Sequence, residues 1–328
     1  MNPATPLLAL LLLAPFLIAA GPAPLVLEAT IPLEHTTGRI DHMAVDLARN
    51  RLFIAELGNG TVDVVDIPGR RAIARIDGLN EPQGVGYTAL ADLLVVASAG
   101  DGTVRFYRGT DLAPVGTLPL GDDADNVRVD PHSGTVIVGY GHGGLAIIDP
   151  ITRTKRADIP LHRHPEGFQL DETGARAFVN VPDAQQVAVV DLATRRLAGT
   201  WRIPSARSTF PMAYDPAAHL LLTVARTPPK LILLSTQTGL VTASLDACAD
   251  ADDVFHDATR HRIYVICGSG QIDTWQQDGP AYRPLLSTPT SWGARTALFV
   301  QALDRLFVAQ RAGLFGSTAT LAIYRPAD

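Results

Sequence analysis

The sequence predicts an all-β protein, a seven-bladed β-propeller whose ring is closed by its own N-terminal strand. Three observations carry that expectation. A unit of two short apolar strands around a polar turn recurs along the chain. With Asp46 as the mark, its equivalents are Thr88, Asp130, Asp171, Asp215, Asp257 and Val300, spaced 41 to 44 residues apart, the length of one four-stranded blade. No helix-period pattern of useful length appears beyond the N-terminal leader. Finally, the seventh unit ends at its third strand, TATLAIYRPAD, and lacks a fourth.

Each element follows from this repeat. The first hairpin of a blade reads DHMAVDLARNRLFIAE at 41–56, DNVRVDPHSGTVIV at 125–138 and DDVFHDATRHRIYVI at 252–266, with β-branched and aromatic residues on both sides of the turn. Blades two and five fit more loosely, at EPQGVGYTALADLLVVA and TFPMAYDPAAHLLLTVA. A third strand ending near Asp comes next (TVDVVD, VAVVD), then a fourth such as RAIARI or KRADIPL. The N-terminal LVLEATIPLEH resembles those fourth strands, so residues 25–33 are expected to pair with 319–325. This closure removes an open sheet edge.

Two stretches carry a family resemblance: RLFIAELGNGTVDVVDI in blade one and RAFVNVPDAQQVAVVDLATRRL in blade four. They resemble the YVTN-repeat β-propellers, secreted bacterial seven-bladed toroids, and the likeness spans residues 25–328. It implies the fold and an exported protein. It implies no particular chemistry, because propellers host binding modules, lactonases, lyases and scaffolds alike.

Composition narrows the function classes. Hydrophobic residues make up 47% of the chain, which fills a large core and argues against disorder. A net charge of −6 without basic clusters argues against nucleic acid as a partner. Leu7 to Ala20 is an apolar run of 14 residues followed by Gly21, too short for a bilayer span. It reads as a signal peptide cleaved after Ala20, although no Lys or Arg precedes it. The expected organisation is a signal at 1–20, a propeller at 21–328, a periplasmic or secreted location, and no stable membrane span after cleavage. The two cysteines, Cys248 and Cys267, both fall on one face of blade six; they are read either as a disulfide or as two separate buried thiols.

The turns between the first and second strands look structural. Asp46, Asp130, Asp171, Asp215 and Asp257 open them as turn residues, and His132, His219 and His261 are expected in solvent. The loops leading into each blade differ. Five positions before the mark the ring reads Asp41, Gln83, Asp125, Glu166, Phe210, Asp252 and Arg295; the next position reads His42, Gly84, Asn126, Gly167, Pro211, Asp253 and Thr296. Two residues before the first ring stand Arg39, Glu81, Asp123, His164, Ser208, Asp250 and Gly293. These rings are polar and vary in identity from blade to blade, as the mouth of a ligand site would. Hairpin turns on the same face add Glu56, Asp101, Tyr140, His142, Asn180, Arg226 and Cys267.

Carboxylates crowded on one rim raise each other's pKa unless a cation intervenes. Imidazole, carboxylate and amide oxygen together suit zinc, manganese or copper, and an all-oxygen subset suits calcium. His42, His164, Glu166 and Asp253 are the expected metal ligands, with Asn126 as an addition and a divalent ion as the one candidate cofactor. Asp41, Gln83, Asp125, Asn126, His142 and Asp252 are expected to contact a ligand. The competing reading has these residues capping strand ends and pairing with Arg39 and Arg295. Function is expected to be ligand or metal binding by an exported accessory protein, with a small molecule or protein partner at the funnel face. The alternatives are a lactonase-like metal-dependent hydrolase or lyase and a protein-interaction scaffold. In the hydrolase or lyase case Glu166 or Asp253 would be the base, and Arg295 or His42 would steady an oxyanion.

Overall fold

The computed structural model describes residues 23–141, 143–313 and 317–328. The expected signal segment and His142 lie outside the described residues. Seven antiparallel sheets follow one another along the chain. Blade one is Met43–Asp46, Arg51–Glu56, Thr61–Asp66 and Arg71–Ile76; blade three is Ala124–Val129, Val136–Tyr140, Gly144–Asp149 and Thr154–Pro160. Each predicted mark ends the first strand of its blade or directly follows it. The aspartates among them close the turn as expected: Asp46 Oδ1 accepts from Arg49 N at 3.1 Å, and Asp257 Oδ1 from Thr259 N at 3.0 Å. His132, His219 and His261 are exposed.

The second strands read as unbroken apolar runs because both their faces are covered. Residues 52–55, 94–97 and 263–266 are fully buried. Seven apolar clusters result, each shared between two neighbouring blades. Fourth strands instead face solvent on one side. Arg196–Arg202 alternates exposed and half-buried residues, and its charged side chains discourage pairing at the sheet edge. Blade six departs from the pattern: its outer edge is split into Ala281–Pro284 and Thr288–Pro289, both paired with Gln271–Asp278. Pro284 and Pro289 cannot donate to a ladder, which suits them to an edge.

The ring closes as the sequence predicts. Leu25–Leu33 pairs antiparallel with Ala319–Pro326, from Leu25 opposite Pro326 to Leu33 opposite Ala319. Leu25, Ile31 and Leu33 are buried there, and Thr296 Oγ1 donates to Ile40 O at 3.0 Å where blade seven meets blade one. Among the described residues no helix is long and apolar enough to cross a membrane.

Candidate functional site

A local irregularity explains why two consecutive residues of each loop can face the channel. In blade one, Asp41 N donates to Ala55 O at 2.8 Å and Ala55 N donates to His42 O at 3.0 Å, so two residues stand opposite one. Blade four repeats this with Glu166, Gly167 and Asn180. The ladders of blades two, three, five and six slip at the same place. Each slip is a β-bulge, which re-aims side chains at the start of a strand. Asp41 with His42, Asp125 with Asn126, and Asp252 with Asp253 all line one cavity of about 410 Å³ at the channel mouth, together with Gln83.

Not every position of the three rings serves that cavity. Glu81, Ser208 and Asp250 take φ between 50° and 59° and Gly293 takes 82°, and Asp123, which does line the cavity, takes 38°. Their short or polar character meets a left-handed turn, a backbone demand shared across blades. Gly84 has a similar explanation: a Cβ there would stand 1.8 Å from Asp125 O of the next blade. The hairpin candidates disperse as well. Glu56 is buried in the wall of blade one against Thr36 and Thr61. Asp101 pairs with Arg105, and Tyr140 donates to Asp158. Asn180 Nδ2 donates to Pro211 O and Thr223 Oγ1, stitching blade four to blade five. Cys248 and Cys267 are joined by a disulfide with Cα atoms 5.9 Å apart.

The cavity has two unlike sides. On one, ion pairs satisfy the charges: Arg226 Nη2 lies 2.5 Å from Asp252 Oδ1, Arg295 Nε 2.9 Å from Asp252 Oδ2, and Arg295 Nη1 2.7 Å from Asp250 Oδ1. Arg226 also stacks 4.4 Å from the centre of the Phe210 ring. Asp253 Oδ2 accepts from Ala297 N at 2.7 Å. Arg295, the expected oxyanion partner, is thus engaged by two carboxylates.

On the other side donors converge without such partners. Asp125, His164 and Glu166 each offer a ligand atom within 4.8 Å of the others. His164 Nδ1 donates to Gly141 O at 2.7 Å, which fixes the ring with Nε2 standing 3.8 Å from Glu166 Oε1. Asp125 Oδ1 and Asn126 Oδ1 are buried and accept no hydrogen bond from the described residues, on residues only 6% and 2% exposed. His42 Nε2 stands 3.7 Å from Asp125 Oδ1 and 3.8 Å from Asp41 Oδ1, and Arg39 Nη2 holds Asp41 at 2.7 Å. Of the four ligands expected from sequence, His164 and Glu166 are in this group; His42 borders it, Asp253 is tied to the backbone of blade seven, and Asp125 joins in its place.

The lining carries six carboxylates against four guanidiniums, and burial makes the excess costly. Burial first, then the charges of Asp252, Asp41 and Asp123, push Glu166 up to about 8. Burial raises Asp41 to about 6 against the pull of Arg39, and lifts Asp125 and Asp253 well above the ordinary carboxylate range. His42 falls to about 4, through burial and then the nearby Arg128 and Arg39 charges. It is therefore a neutral imidazole at physiological pH.

Five lining residues were not among those expected from sequence: Met212 and Val254, which lie three positions before the mark, and Arg128, Gln169 and Phe255. The last three occupy one further column, two positions before the mark, whose other members are Ala44, Gly86, Ala213 and Leu298. A polar residue in a small or apolar inward column was the available signal. Bulge residues and this column lie on the same first strands, so the cavity wall continues down the channel.

No known protein family matches the chain, and no curated protein does. Solved structures do resemble it. A chain of hydrazine synthase from Kuenenia stuttgartiensis aligns with a TM-score of 0.75 at 14% identity, covering 87% of this chain and 95% of that one. A chain from the crystal structure of a mitotic checkpoint complex aligns with a TM-score of 0.79 at 15% identity, covering 99% of each. At such identities the likeness is one of fold, the seven-bladed propeller.

Proposed function

We propose that this chain is an exported β-propeller of the YVTN-repeat kind that binds a divalent cation in its funnel and acts as a ligand-binding accessory protein. One observation carries the reading: the convergence of Asp125, His164 and Glu166 beside buried oxygens of Asp125 and Asn126 that accept no hydrogen bond among the described residues. A buried acceptor left unpaired costs about 1–3 kcal/mol, and a cation held by Asp125, His164 and Glu166 would offset that cost at Asp125. The mixed nitrogen and oxygen donors favour zinc or manganese over calcium. Export rests on the leader at 1–20 and on the family resemblance.

Metal analysis of the purified protein is the test. One tight equivalent is expected. His164→Ala and Glu166→Ala should each weaken it by more than the roughly 10–100-fold that loss of an outer-shell partner costs. Absence of retained metal, with no thermal shift in zinc, manganese or calcium, would overturn the reading.

A second reading, a metal-dependent hydrolase or lyase, is favoured by the count of three ligating residues. Three protein ligands leave a coordination position for water or substrate. Cation-dependent turnover of an ester or lactone panel, lost in Glu166→Ala, would separate it from binding alone.

A further inference from the structure

We propose that Arg128 is the anion-recognising floor of the funnel and that the ligand is a small organic carboxylate. The inference rests on the cation reading above. Three of the four arginines lining the cavity are neutralised at short range: Arg39 by Asp41 at 2.7 Å, Arg226 by Asp252 at 2.5 Å and Arg295 by Asp250 at 2.7 Å. Arg128 has no carboxylate within ion-pair distance among the described residues. It is held by backbone instead. Its Nε donates to Phe168 O and its Nη1 to Val127 O, both at 2.9 Å, and the guanidinium stacks 5.3 Å from the centre of the Phe168 ring.

A guanidinium has five N–H donors in a rigid fork. These two bonds fix its plane and leave Nη2 without an acceptor among the described residues, on a residue that lines the cavity. Burial holds its pKa below the usual arginine value, against the pull of Asp253 and Asp125. A pre-oriented and unpaired guanidinium matches the fork geometry of a carboxylate.

Charge sets the order of events. With six lining carboxylates and four guanidiniums, the fully ionised funnel repels an anion. A divalent cation at Asp125, His164 and Glu166 cancels that excess, and a carboxylate can then reach Arg128. Cation and ligand should therefore bind cooperatively, each strengthening the other by the same factor. The rest of the wall is mixed, with Phe210 and Phe255 beside Gln83, Asn126 and Gln169, and a cavity of about 410 Å³ admits only a small ligand.

Calorimetric titration tests this in two stages on the whole protein. Zinc or manganese alone is titrated first. A panel of small aliphatic and aromatic monocarboxylates, each paired with its neutral methyl ester, is then titrated into loaded and metal-free protein. The acids should bind the loaded form, with the esters weaker by about tenfold or more. Arg128→Gln should lose a similar factor while still taking up the cation, and Arg128→Lys should recover part of it. The inference is overturned if no acid on the panel binds loaded protein, or if Arg128→Gln binds the acids as tightly as wild type. Failure of the cation reading shows separately, in the metal-only stage. In that event acids must bind metal-free protein through Arg128, or the inference falls as well.

Discussion

Glu56 shows how a side chain can look like part of a site and instead govern stability. It ends the second strand of blade one on the funnel face, yet it is fully buried. Its oxygens accept from Thr36 Oγ1 and Thr61 Oγ1, both at 2.5 Å. Arg75 approaches at 3.4 Å but gives its fork to Asp63, at 2.6 and 2.9 Å. Burial raises Glu56 to about 7, the Asp63 charge adds to the rise, and the threonine bonds and Arg75 resist it. The folded protein thus binds a proton that the unfolded chain releases near its ordinary value of 4.5. The associated stability is fully present below pH 4.5 and is lost as pH rises through about 7, a change on the order of 3 kcal/mol. Glu56→Gln removes this titration. Urea unfolding of both proteins at pH 5 and pH 8 should show the variant gaining on wild type at the higher pH; a difference independent of pH would show that Glu56 is ionised throughout.

Blade six illustrates what an element adds. Its disulfide ties the loop before the first strand to the end of the second, across a separation of 19 residues. A loop of that size is worth about 3 kcal/mol in chain entropy. Thiol labelling of protein unfolded without reductant should find no reactive cysteine, and the Cys248→Ala, Cys267→Ala double variant should unfold at lower denaturant. Two reactive thiols would exclude the bridge. The sequence placed both cysteines on one face without deciding between bridge and free thiols, because the decision depends on how the loop folds back over the blade. The same boundary runs through the rest of the molecule. Second strands were legible because burial on both faces keeps their central residues mostly apolar, and the blade marks because an aspartate closes the turn locally in five of the seven blades. The rings were legible because a bulge recurs at one position in most blades. Which carboxylate each arginine meets was not legible. Arg226 reaches Asp252 from a hairpin of the neighbouring blade, and Arg128 stands in a column that is otherwise mostly small or apolar. The split edge of blade six also escaped, since its two prolines act on strand pairing and leave the apolar pattern unchanged.

At the scale of the whole ring, seven clusters of similar build hold the blades together, and none spans the molecule. Stability therefore depends on every contact being present, including the one made by the N-terminal strand. That strand contributes Leu25, Ile31 and Leu33 to buried positions, worth roughly 5–9 kcal/mol at 1.5–3 kcal/mol for each large apolar side chain. Its Glu28 also bridges Arg305 of blade seven and Arg70 of blade one. The sum is comparable with the entire stability of an ordinary domain. Signal cleavage after Ala20 would leave the strand intact, since pairing begins at Leu25. A chain beginning at Arg39 would lack it, exposing the edge of Ala319–Pro326 and part of the cluster between blades seven and one. Such a chain should melt many degrees lower than the full propeller or lose its cooperative transition. Addition of a synthetic peptide covering residues 23–38 should restore the transition by re-forming the edge pairing. An unchanged melting temperature in the shortened chain, or a loss that the peptide cannot reverse, would place the origin of ring stability elsewhere.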